Sequence, residues 1–463
     1  MTSSPNTQAV DTAYAASGKD MRRILASSLI GTALEYYDFI LYATAAGIVF
    51  NRIFFTSLDP TTALVLSFAT LAAGYVARPL GGIIFGHLGD RVGRKAVLMS
   101  TIIVMGVTST LIGLLPATAQ IGVWAPILLV TLRVVQGIAV GGEWGGATLV
   151  GFENAKKHSR GFASAFSYMG APTGTLVGTL ILAGMATLPD EQFLSWGWRV
   201  PFILSAAFMM IAVFIRRRVS ESKVFVEAVE RAPHQRRTPL VALVRDHWRP
   251  LLRAFTVGLS GQAAQGLMGA WAVAYVVQQA AHEQSLVLVL KASAAVTTIV
   301  FIVIASRMSD RYGRRRILMF GNILGIALAY PIMLMLETDS VVLFFFAVFL
   351  GLSVVQGFSA GPYGAYAGEQ FPTSVRNSGV SVAYQFASTA GAGFTPMIAT
   401  ALAATGGGSL WLVAALWIGF AVVSLVGLTT GKDRSRLNLT ELDGRTVLPG
   451  GASTAEARSD GAR

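Results

Sequence analysis

GHLGDRVGRK at residues 86–95 returns as SRMSDRYGRR at residues 306–315, and VVQG at 134–137 returns at 354–357. The two pairs have the same spacing, since 306 − 86 and 354 − 134 both equal 220. Two separate stretches that repeat at one offset indicate two copies of a single structural unit. The chain is therefore predicted to fold as two related halves.

Apolar segments fill both copies. The chain has 463 residues, of which 53% are hydrophobic and 13% are charged, and it has no cysteine. A soluble domain carries about 25% charged residues, so this composition predicts a membrane protein. Without cysteine, disulfides and thiolate metal sites are excluded. Spans approaching or exceeding the roughly 20 residues that cross a bilayer are predicted near 24–50, 61–86, 97–116, 123–151, 162–188, 198–215, 250–281, 286–305, 316–336, 340–367, 377–403 and 409–430.

These twelve spans divide into two bundles of six. Residues 22–215 form the first predicted bundle and residues 250–430 the second, joined by a linker at 216–249 in which ESKVFVEAVERA is a candidate surface helix. The arm 1–21 and the tail 431–463 are predicted to be disordered. An even number of spans per copy gives both halves the same orientation. The predicted fold is an all-α membrane protein of two pseudo-symmetric six-helix bundles, with a substrate site between them near the midplane.

The positive charge follows the predicted topology. The net charge is +12, but lysine and arginine are concentrated in alternate gaps between spans, and the other gaps are nearly free of them. Basic loops stay in the cytoplasm. Both termini and the linker are therefore predicted to be cytoplasmic in a multi-pass membrane protein, and the charge does not indicate nucleic-acid binding.

ALEYYDFILY, residues 33–42, places two acids inside the first span. A charged residue at a helix centre costs about 2.5–3.5 kcal/mol, and such residues usually face a cavity or a partner. Glu35 and Asp38 are three residues apart and share a helix face, which Tyr42 extends. Asp38 lies about 20 Å along its span, and Arg133 about 14 Å along the fourth span from the other side. These depths predict that Asp38 and Arg133 face each other, with Glu35 deeper toward the cytoplasm.

This predicted pair implies a coupling mechanism. A buried ion pair neutralises itself, whereas removing one charge leaves the other costly. If Asp38 takes a proton, Arg133 loses its partner and becomes a site for a substrate carboxylate. The protein with both proton and substrate bound then moves its site from one side of the membrane to the other. The protein with only one of them bound does not. The proton is then the coupling ion, and no cofactor or metal is expected.

Three alternatives remain open for these charges. The first helix can instead begin at Glu35 and end near Phe55, which would leave both acids at the interface. Arg133 can be structural and bridge backbone carbonyls of neighbouring helices. Glu143, ten residues nearer the cytoplasm, can transfer the proton, belong to an internal gate or contact Arg78.

The second half has no counterpart to the two acids, so its polar and aromatic residues are expected to contact the substrate. Lys291 in the eighth span is expected to extend its ammonium toward the outer surface. The candidate substrate ligands are Arg133, Tyr42 and Gln136 in the first half, and Gln262, Gln265, Trp271, Tyr275, Gln356, Tyr363, Tyr384 and Gln385 in the second.

Glycines recur every fourth residue in several spans. Gly137, Gly141 and Gly145 lie in the fourth span, with Gly146 beside them. Residues 170, 174 and 178 repeat the pattern in the fifth span. Small residues at this spacing let membrane helices approach closely, so these positions are predicted to be helix contacts.

Several stretches resemble a known family. GHLGDRVGRK and its second copy resemble the cytoplasmic signature of the major facilitator superfamily, and Leu129, Arg133, Gln136 and Gly137 match its fourth-span motif. GTALEYYDFILY, FNRIFF, RVVQGIAVGGEWGGA, WGWRVPF and EQFPTSVRNSG resemble its metabolite/proton symporters. WAPILLVTLRVVQGIAVGGEWGG and DEQFLSWGWRVPF are most similar to shikimate transporters. The resemblance implies the major facilitator fold and proton-coupled uptake of shikimate or a related organic or aromatic acid, often through a first-span acid and a fourth-span arginine.

The resemblance also implies a cytoplasmic gate. Asp90 is placed to cap a helix N-terminus, and the acids and arginines of two equivalent loops can pair with Arg94 and Arg314. The alternative is that these residues only fix the topology and stabilise loops. The predicted gate residues are Gly86, Asp90, Arg91, Gly93, Arg94, Lys95, Glu153, Arg160, Asp310, Arg314, Glu369 and Arg376.

Other functions are less consistent with the sequence. A proline or betaine symporter of the osmosensing branch carries a C-terminal coiled coil, and residues 431–463 have no heptads. An exporter driven by proton antiport would use the same acids. A transporter-like receptor or an enzyme would need a signalling domain or a catalytic cluster that the sequence does not suggest. The expected partners are a small organic acid, protons and the lipid bilayer, with no nucleic acid, and the chain is expected to be a monomer.

Overall fold

The computed structural model describes residues 18–92, 94–141, 144–218, 239–279, 282–407, 409–431 and 433–442. In these ranges the chain is helical and contains no β-strand. Twelve long helical segments are described, as the spacing of apolar spans predicts. They are α1 (18–53), α2 (Pro60–Val92), α3 (Arg94–Leu114), α4 (Trp124–Val140 and Trp144–Asn154), α5 (Arg160–Met185), α6 (Arg199–Arg218), α7 (248–279), α8 (Gln284–Tyr312), α9 (Arg314–Leu336), α10 (Val341–Gln370), α11 (373–405) and α12 (Trp411–Thr429).

The first helix begins well before the two acids. It runs as an α-helix over Gly18–Ala45, passes through a π-helical turn at Ala46–Phe50 and ends at Ile53. Glu35 and Asp38 therefore lie near its middle, and both are 6% exposed. The alternative in which the helix starts at Glu35 is wrong.

Helices pack on each other within each half and also across the boundary between the halves. α1 packs along α5 and α2 along α4 within the first half, while α7 and α9 both pack on α12 in the second. Between the halves, α5 contacts α8 and α2 contacts α11. We call the side on which α1 begins and α12 ends the terminal face, and the other side the opposite face.

Glycines allow the closest of these helix contacts, as the spacing predicts. A Cβ added to Gly137 would lie 2.1 Å from the carbonyl oxygen of Gly74, and one added to Gly141 would lie 1.8 Å from that of Arg78. Helices α2 and α4 thus touch through their backbones. Gly174 makes a similar contact between α5 and α1, whereas Gly145 has no described environment.

Residues 433–442 of the tail are described by the structure, and residues 443–463 are not, so the predicted disorder of the tail stays a prediction. Residues 433–442 lie on the terminal face, where Arg160 donates to the carbonyl oxygen of Leu437 at 3.0 Å and Arg434 to that of Gln370 at 3.4 Å. A short helix at Pro239–Asp246 packs on α11. The arm 1–17, most of the linker with its candidate helix (219–238) and the tail from 443 onward lie outside the described residues.

Candidate functional site

A chain of polar side chains connects four helices inside the first half, α1, α3, α4 and α6. Arg133 Nη1 donates to Gln136 Oε1 at 2.6 Å, and Gln136 Nε2 donates to Ser109 Oγ at 2.7 Å. The Ser109 hydroxyl is also a neighbour of the Asp38 carboxylate, which accepts a hydrogen bond from Ser205 Oγ at 2.5 Å. The acid and the arginine are thus linked through an amide and a hydroxyl.

Asp38 and Arg133 are not in direct contact, which corrects the predicted ion pair. Neither makes a salt bridge within 4.0 Å in the part of the chain that the structure describes. The Arg133 guanidinium lies over the rings of Phe39 and Tyr42, 4.0 and 4.1 Å from their centroids. Its Nε and Nη2 have no described hydrogen-bond partner, so aromatic faces supply much of its stabilisation. Its hydrogen bond goes to a side chain, so the alternative of a bridge between backbone carbonyls is not observed.

Cations outnumber acids in the middle of the described helices. Glu35 and Asp38 are buried there together with Arg78, Arg133 and Lys291. Arg78 lies over the Phe39 ring at 3.8 Å from its centroid. If all five are ionised, one positive charge is left over. Glu143, the third predicted acid of this region, lies outside the described residues.

A small cavity lies between the two halves. Its volume is about 20 Å³, which is room for roughly one water molecule. Four predicted substrate ligands line it, and the structure adds tyrosines and threonines of both halves to them. The polar and aromatic lining residues are Gln262, Gln265, Gln356 and Tyr384, together with Tyr36, Tyr168, Thr175 and Thr298.

Hydrogen bonds organise this lining. Gln356 Nε2 donates to Gln265 Oε1 at 2.7 Å, and the Tyr36 and Tyr384 hydroxyls form a short hydrogen bond across the halves. Gln262 also contacts the Tyr384 hydroxyl. Amides and phenols both donate and accept hydrogen bonds, so this wall suits a ligand that carries several oxygens.

Three predicted ligands of the first half do not reach the cavity. Arg133 and Gln136 belong to the polar chain, and Tyr42 donates to Thr70 Oγ1 at 2.7 Å while its ring covers Arg133. None of the three lines the cavity in this conformation.

Four predicted ligands of the second half also lie outside the cavity lining. Trp271 and Tyr275 stack on each other at a centroid distance of 5.2 Å. Tyr363 donates to a backbone carbonyl of α7 at 3.1 Å. Gln385 donates to the carbonyl oxygen of Gly141 at 3.2 Å and so joins α11 to α4.

The sequence reasoning missed the contribution of α5. Tyr168, Pro172 and Thr175 line the cavity at positions i, i+4 and i+7, which is one face of a helix. A tyrosine and a threonine on one stripe of an apolar helix are the signal that would have found them.

Charged residues close the terminal face, where a gate is predicted. Asp310 of the second half accepts hydrogen bonds from the backbone N–H groups of Gly161 and Phe162, both at 2.9 Å, and so caps α5 of the first half. A carboxylate at a helix N-terminus is stabilising. Arg314 Nη1 binds Asp310 at 2.6 Å, and its Nε binds Glu369 at 3.3 Å.

A second bridge crosses the halves at the same face. Arg376 Nη1 lies 3.2 Å from Glu153 Oε1. The predicted residues Glu153, Arg160, Asp310, Arg314, Glu369 and Arg376 therefore gather on the terminal face. The predicted pairing of Arg314 with Glu369 is observed. The surroundings of Gly86 and Gly93 and the side chains of Asp90, Arg91, Arg94 and Lys95 lie outside the described part of the chain.

The opposite face is closed as well. Lys291 Nζ of α8 donates to Thr44 Oγ1 of α1 at 2.7 Å. A Cβ added to Gly47 would lie 2.8 Å from Cβ of Ala274 in α7. The structure is thus an occluded conformation. Lys291 is 0% exposed, so the prediction that it extends to the surface is wrong.

Two six-helix halves packed around a cavity lined in part by glutamine and tyrosine side chains have the architecture of a membrane transporter. The model of the Major Facilitator Superfamily matches residues 28–396 and 280–452. The chain belongs to this superfamily, whose members are carriers and not enzymes.

Curated relatives agree with this assignment. The chain is 40% identical over 412 residues to the inner membrane metabolite transport protein YhjE of Escherichia coli, covering 87% of this chain and 93% of that one. It is 37% identical over 422 residues to the shikimate transporter of Escherichia coli, covering 90% and 95%. The proline/betaine transporter of Salmonella typhimurium is 29% identical over 447 residues, covering 95% and 88%. The predicted resemblance to metabolite transporters is confirmed.

Solved structures confirm the fold. The crystal structure of a D-xylose-proton symporter matches with a TM-score of 0.66 at 18% identity, covering 87% of this chain and 96% of that one. At that identity the match shows the shared architecture alone.

Proposed function

We propose that this protein is a proton-coupled symporter that imports a small organic carboxylate, with shikimate as the first candidate. The observation that carries the proposal is the buried Asp38 carboxylate. It lies in the middle of α1, bonded to Ser205 and linked through Ser109 and Gln136 to Arg133. An ionisable residue inside a membrane helix marks a proton or ion pathway by default.

Charge balance supports an anionic substrate. Protonation of Asp38 removes one negative charge from the region that holds the buried cations Arg78, Arg133 and Lys291. Uncompensated charge in a low-dielectric interior is costly. A bound carboxylate returns a negative charge, so the doubly loaded protein reorients more easily than the protonated, empty one. Proton and substrate then cross together.

The cavity lining supports a substrate with several hydroxyl groups. Shikimate carries three hydroxyls and one carboxylate on a ring, and the glutamines and tyrosines of the lining offer both donors and acceptors. The relative named as a shikimate transporter is 37% identical, whereas the proline/betaine relative is 29% identical. Because the cavity is about 20 Å³, a ring enters only when the halves separate. Alternating access between an outer and an inner opening provides that separation.

The orientation follows from the basic loops. We place the terminal face in the cytoplasm and the opposite face toward the periplasm of a bacterial inner membrane. The coupling ion is the proton, with no further cofactor, and the transporting unit is the monomer.

Uptake into proteoliposomes tests the proposal. With an imposed inward proton gradient, the wild type should accumulate labelled shikimate, and Asp38→Asn should not, because asparagine resembles the protonated acid permanently. The variant should still exchange shikimate across the membrane without a gradient. Asp190→Asn is the matched control, because Asp190 pairs with Arg52 at the opposite face and its loss should leave accumulation intact.

Two results would overturn the proposal. Full accumulation by Asp38→Asn would assign coupling to another acid, such as Glu35 or Glu143. No uptake of shikimate, benzoate or citrate by the wild type would reject carboxylate import. Uptake of betaine alone would favour the osmolyte alternative. Gradient-driven transport of the carboxylate in the direction opposite to proton flow would favour an exporter.

A further inference from the structure

A buried lysine in the second half has no charged partner among the residues that the structure describes. Lys291 lies in α8, seven residues after Gln284, and is 0% exposed. Its Nζ donates to Thr44 Oγ1 at 2.7 Å, and that hydroxyl in turn donates to the carbonyl oxygen of Ile40 at 2.8 Å. In the described part of the chain, Thr44 is its one hydrogen-bond partner and it forms no ion pair. An ammonium buried in this way is costly, so a negative partner from outside the chain would stabilise it.

The position of Lys291 on its helix points to the cavity. Ala295 and Thr298, four and seven residues later, line the central cavity, and residues at this spacing share one helix face. Lys291 thus lies about 6 Å along α8 from the lining residue Ala295, on the side of the opposite face. A solute that enters from that face passes Lys291 before it reaches the glutamines and tyrosines below.

The other two central cations are less available to a solute. Arg133 is covered by Phe39 and Tyr42, and Arg78 lies against Phe39 and Tyr75. None of the three cations lines the cavity in this conformation, but Lys291 shares a helix face with Ala295 and Thr298, which do. On position alone, Lys291 is the cation best placed to meet a substrate anion.

We propose that the Lys291 ammonium binds the carboxylate of the substrate at the opposite-face end of the central cavity. This inference rests on the proposed function, and it moves the anion site from Arg133 in the first half to α8 in the second.

The bond to Thr44 gives this site a second consequence. In this conformation it joins α8 to α1 across the halves. Thr44 offers the ammonium a neutral oxygen, whereas a carboxylate adds the attraction of an opposite charge, so a carboxylate competes effectively for the ammonium. Substrate binding therefore exchanges a contact between the halves for a contact with the ligand.

Paired ligands that differ only in charge test the site. Binding of shikimate and of its methyl ester to the purified full-length protein is followed by tryptophan fluorescence, since the chain has eight tryptophans. The wild type should prefer the acid. Lys291→Met should lose at least tenfold in affinity for the acid and less than threefold for the ester. Lys291→Arg should keep the preference for the acid.

The controls separate binding from structure. Thr44→Val removes the observed acceptor and keeps the cation, so it should retain the preference for the acid. Lys291→Met should unfold at a temperature no lower than the wild type, because it replaces a buried unpaired charge with an apolar side chain. Lys291→Gln provides a second neutral variant, for which the same loss of preference is expected.

The two proposals fail in different ways. If the wild type transports shikimate and both neutral variants keep its preference for the acid over the ester, the Lys291 site is wrong and the transport function stands. If the wild type neither transports nor binds shikimate or benzoate, the proposed function fails and the carboxylate site fails with it.

Discussion

At the scale of single residues, the first half stabilises its buried charges with uncharged neighbours. Arg133 is held by two aromatic rings and one amide, and Asp38 is held by serine hydroxyls. A direct salt bridge would keep Asp38 and Arg133 both ionised, because each charge would stabilise the other. A chain of neutral groups leaves Asp38 able to gain or lose its proton while Arg133 keeps its own contacts.

Gln136 is the residue on which this chain depends. Gln136→Leu removes both the acceptor of Arg133 and the donor to Ser109, and a hydrogen bond to a charged group contributes about 1.5–3 kcal/mol. We expect a lower thermal unfolding midpoint in detergent and a loss of gradient-driven uptake. Thr131→Val is the control on the same helix, because Thr131 is exposed and bonds only within α4. An unchanged midpoint in Gln136→Leu would contradict this role.

At the scale of helices, backbone contacts between α2 and α4 hold the first half together. Gly137 and Gly141 lie one turn apart and each touches a carbonyl oxygen of α2. Lipid is as apolar as a side chain, so close packing and not exclusion from water holds such helices together. This contact also sets the position of Arg133, one turn before Gly137.

Alanine at two glycines of α4 should therefore have unequal effects. A Cβ at Gly141 would lie 1.8 Å from the Arg78 carbonyl oxygen, whereas one at Gly146 meets nothing within 4 Å. Overpacking costs about 1–3 kcal/mol, so Gly141→Ala should unfold at a clearly lower temperature or purify poorly. Gly146→Ala should behave as the wild type. Equal midpoints for the two variants would show that α2 and α4 do not pack this closely.

At the scale of the whole molecule, both faces of the transporter are closed by contacts between the halves. The terminal face uses charged groups, with Asp310 on the N-terminus of α5 and Arg376 on Glu153. The opposite face uses close packing and the bond between Lys291 and Thr44. Opening either face breaks one set and leaves the other intact, which is the requirement for alternating access.

Asp310→Asn should shift the equilibrium between closed and open conformations toward opening of the terminal face. The amide loses the charge that interacts with the N-terminus of α5 and with Arg314, and a loss of one or two kcal/mol changes a population ratio about 5–30-fold. Spin labels on cysteines introduced at the exposed positions Lys156 and Asn377 report the separation of the halves, in a chain without native cysteine.

The expected result is a new population at longer distance. Asp433→Asn is the matched control, because Asp433 accepts hydrogen bonds from Arg315 and Ser435 within the second half. An identical distance distribution in Asp310→Asn and the wild type would show that this carboxylate does not hold the terminal face shut.

The linear pattern of the sequence determined the architecture of this protein. Apolar runs of membrane length, the repeat at an offset of 220 and glycines four residues apart are local or periodic features, and each has one simple structural solution in a bilayer. The sequence also predicted that charged residues group at the terminal face, because equivalent loops of the two repeats lie on the same side of the membrane.

Only the tertiary structure decided which side chains meet inside the halves. Asp38 bonds to Ser205 and not to Arg133, α5 and α8 line the cavity, and Lys291 points inward. The physical reason is that a membrane helix is apolar toward its neighbours and toward lipid alike, so hydropathy does not fix its rotation about its own axis. The depth of a residue in the membrane can be counted from the sequence, whereas the direction in which its side chain points is set by helix packing.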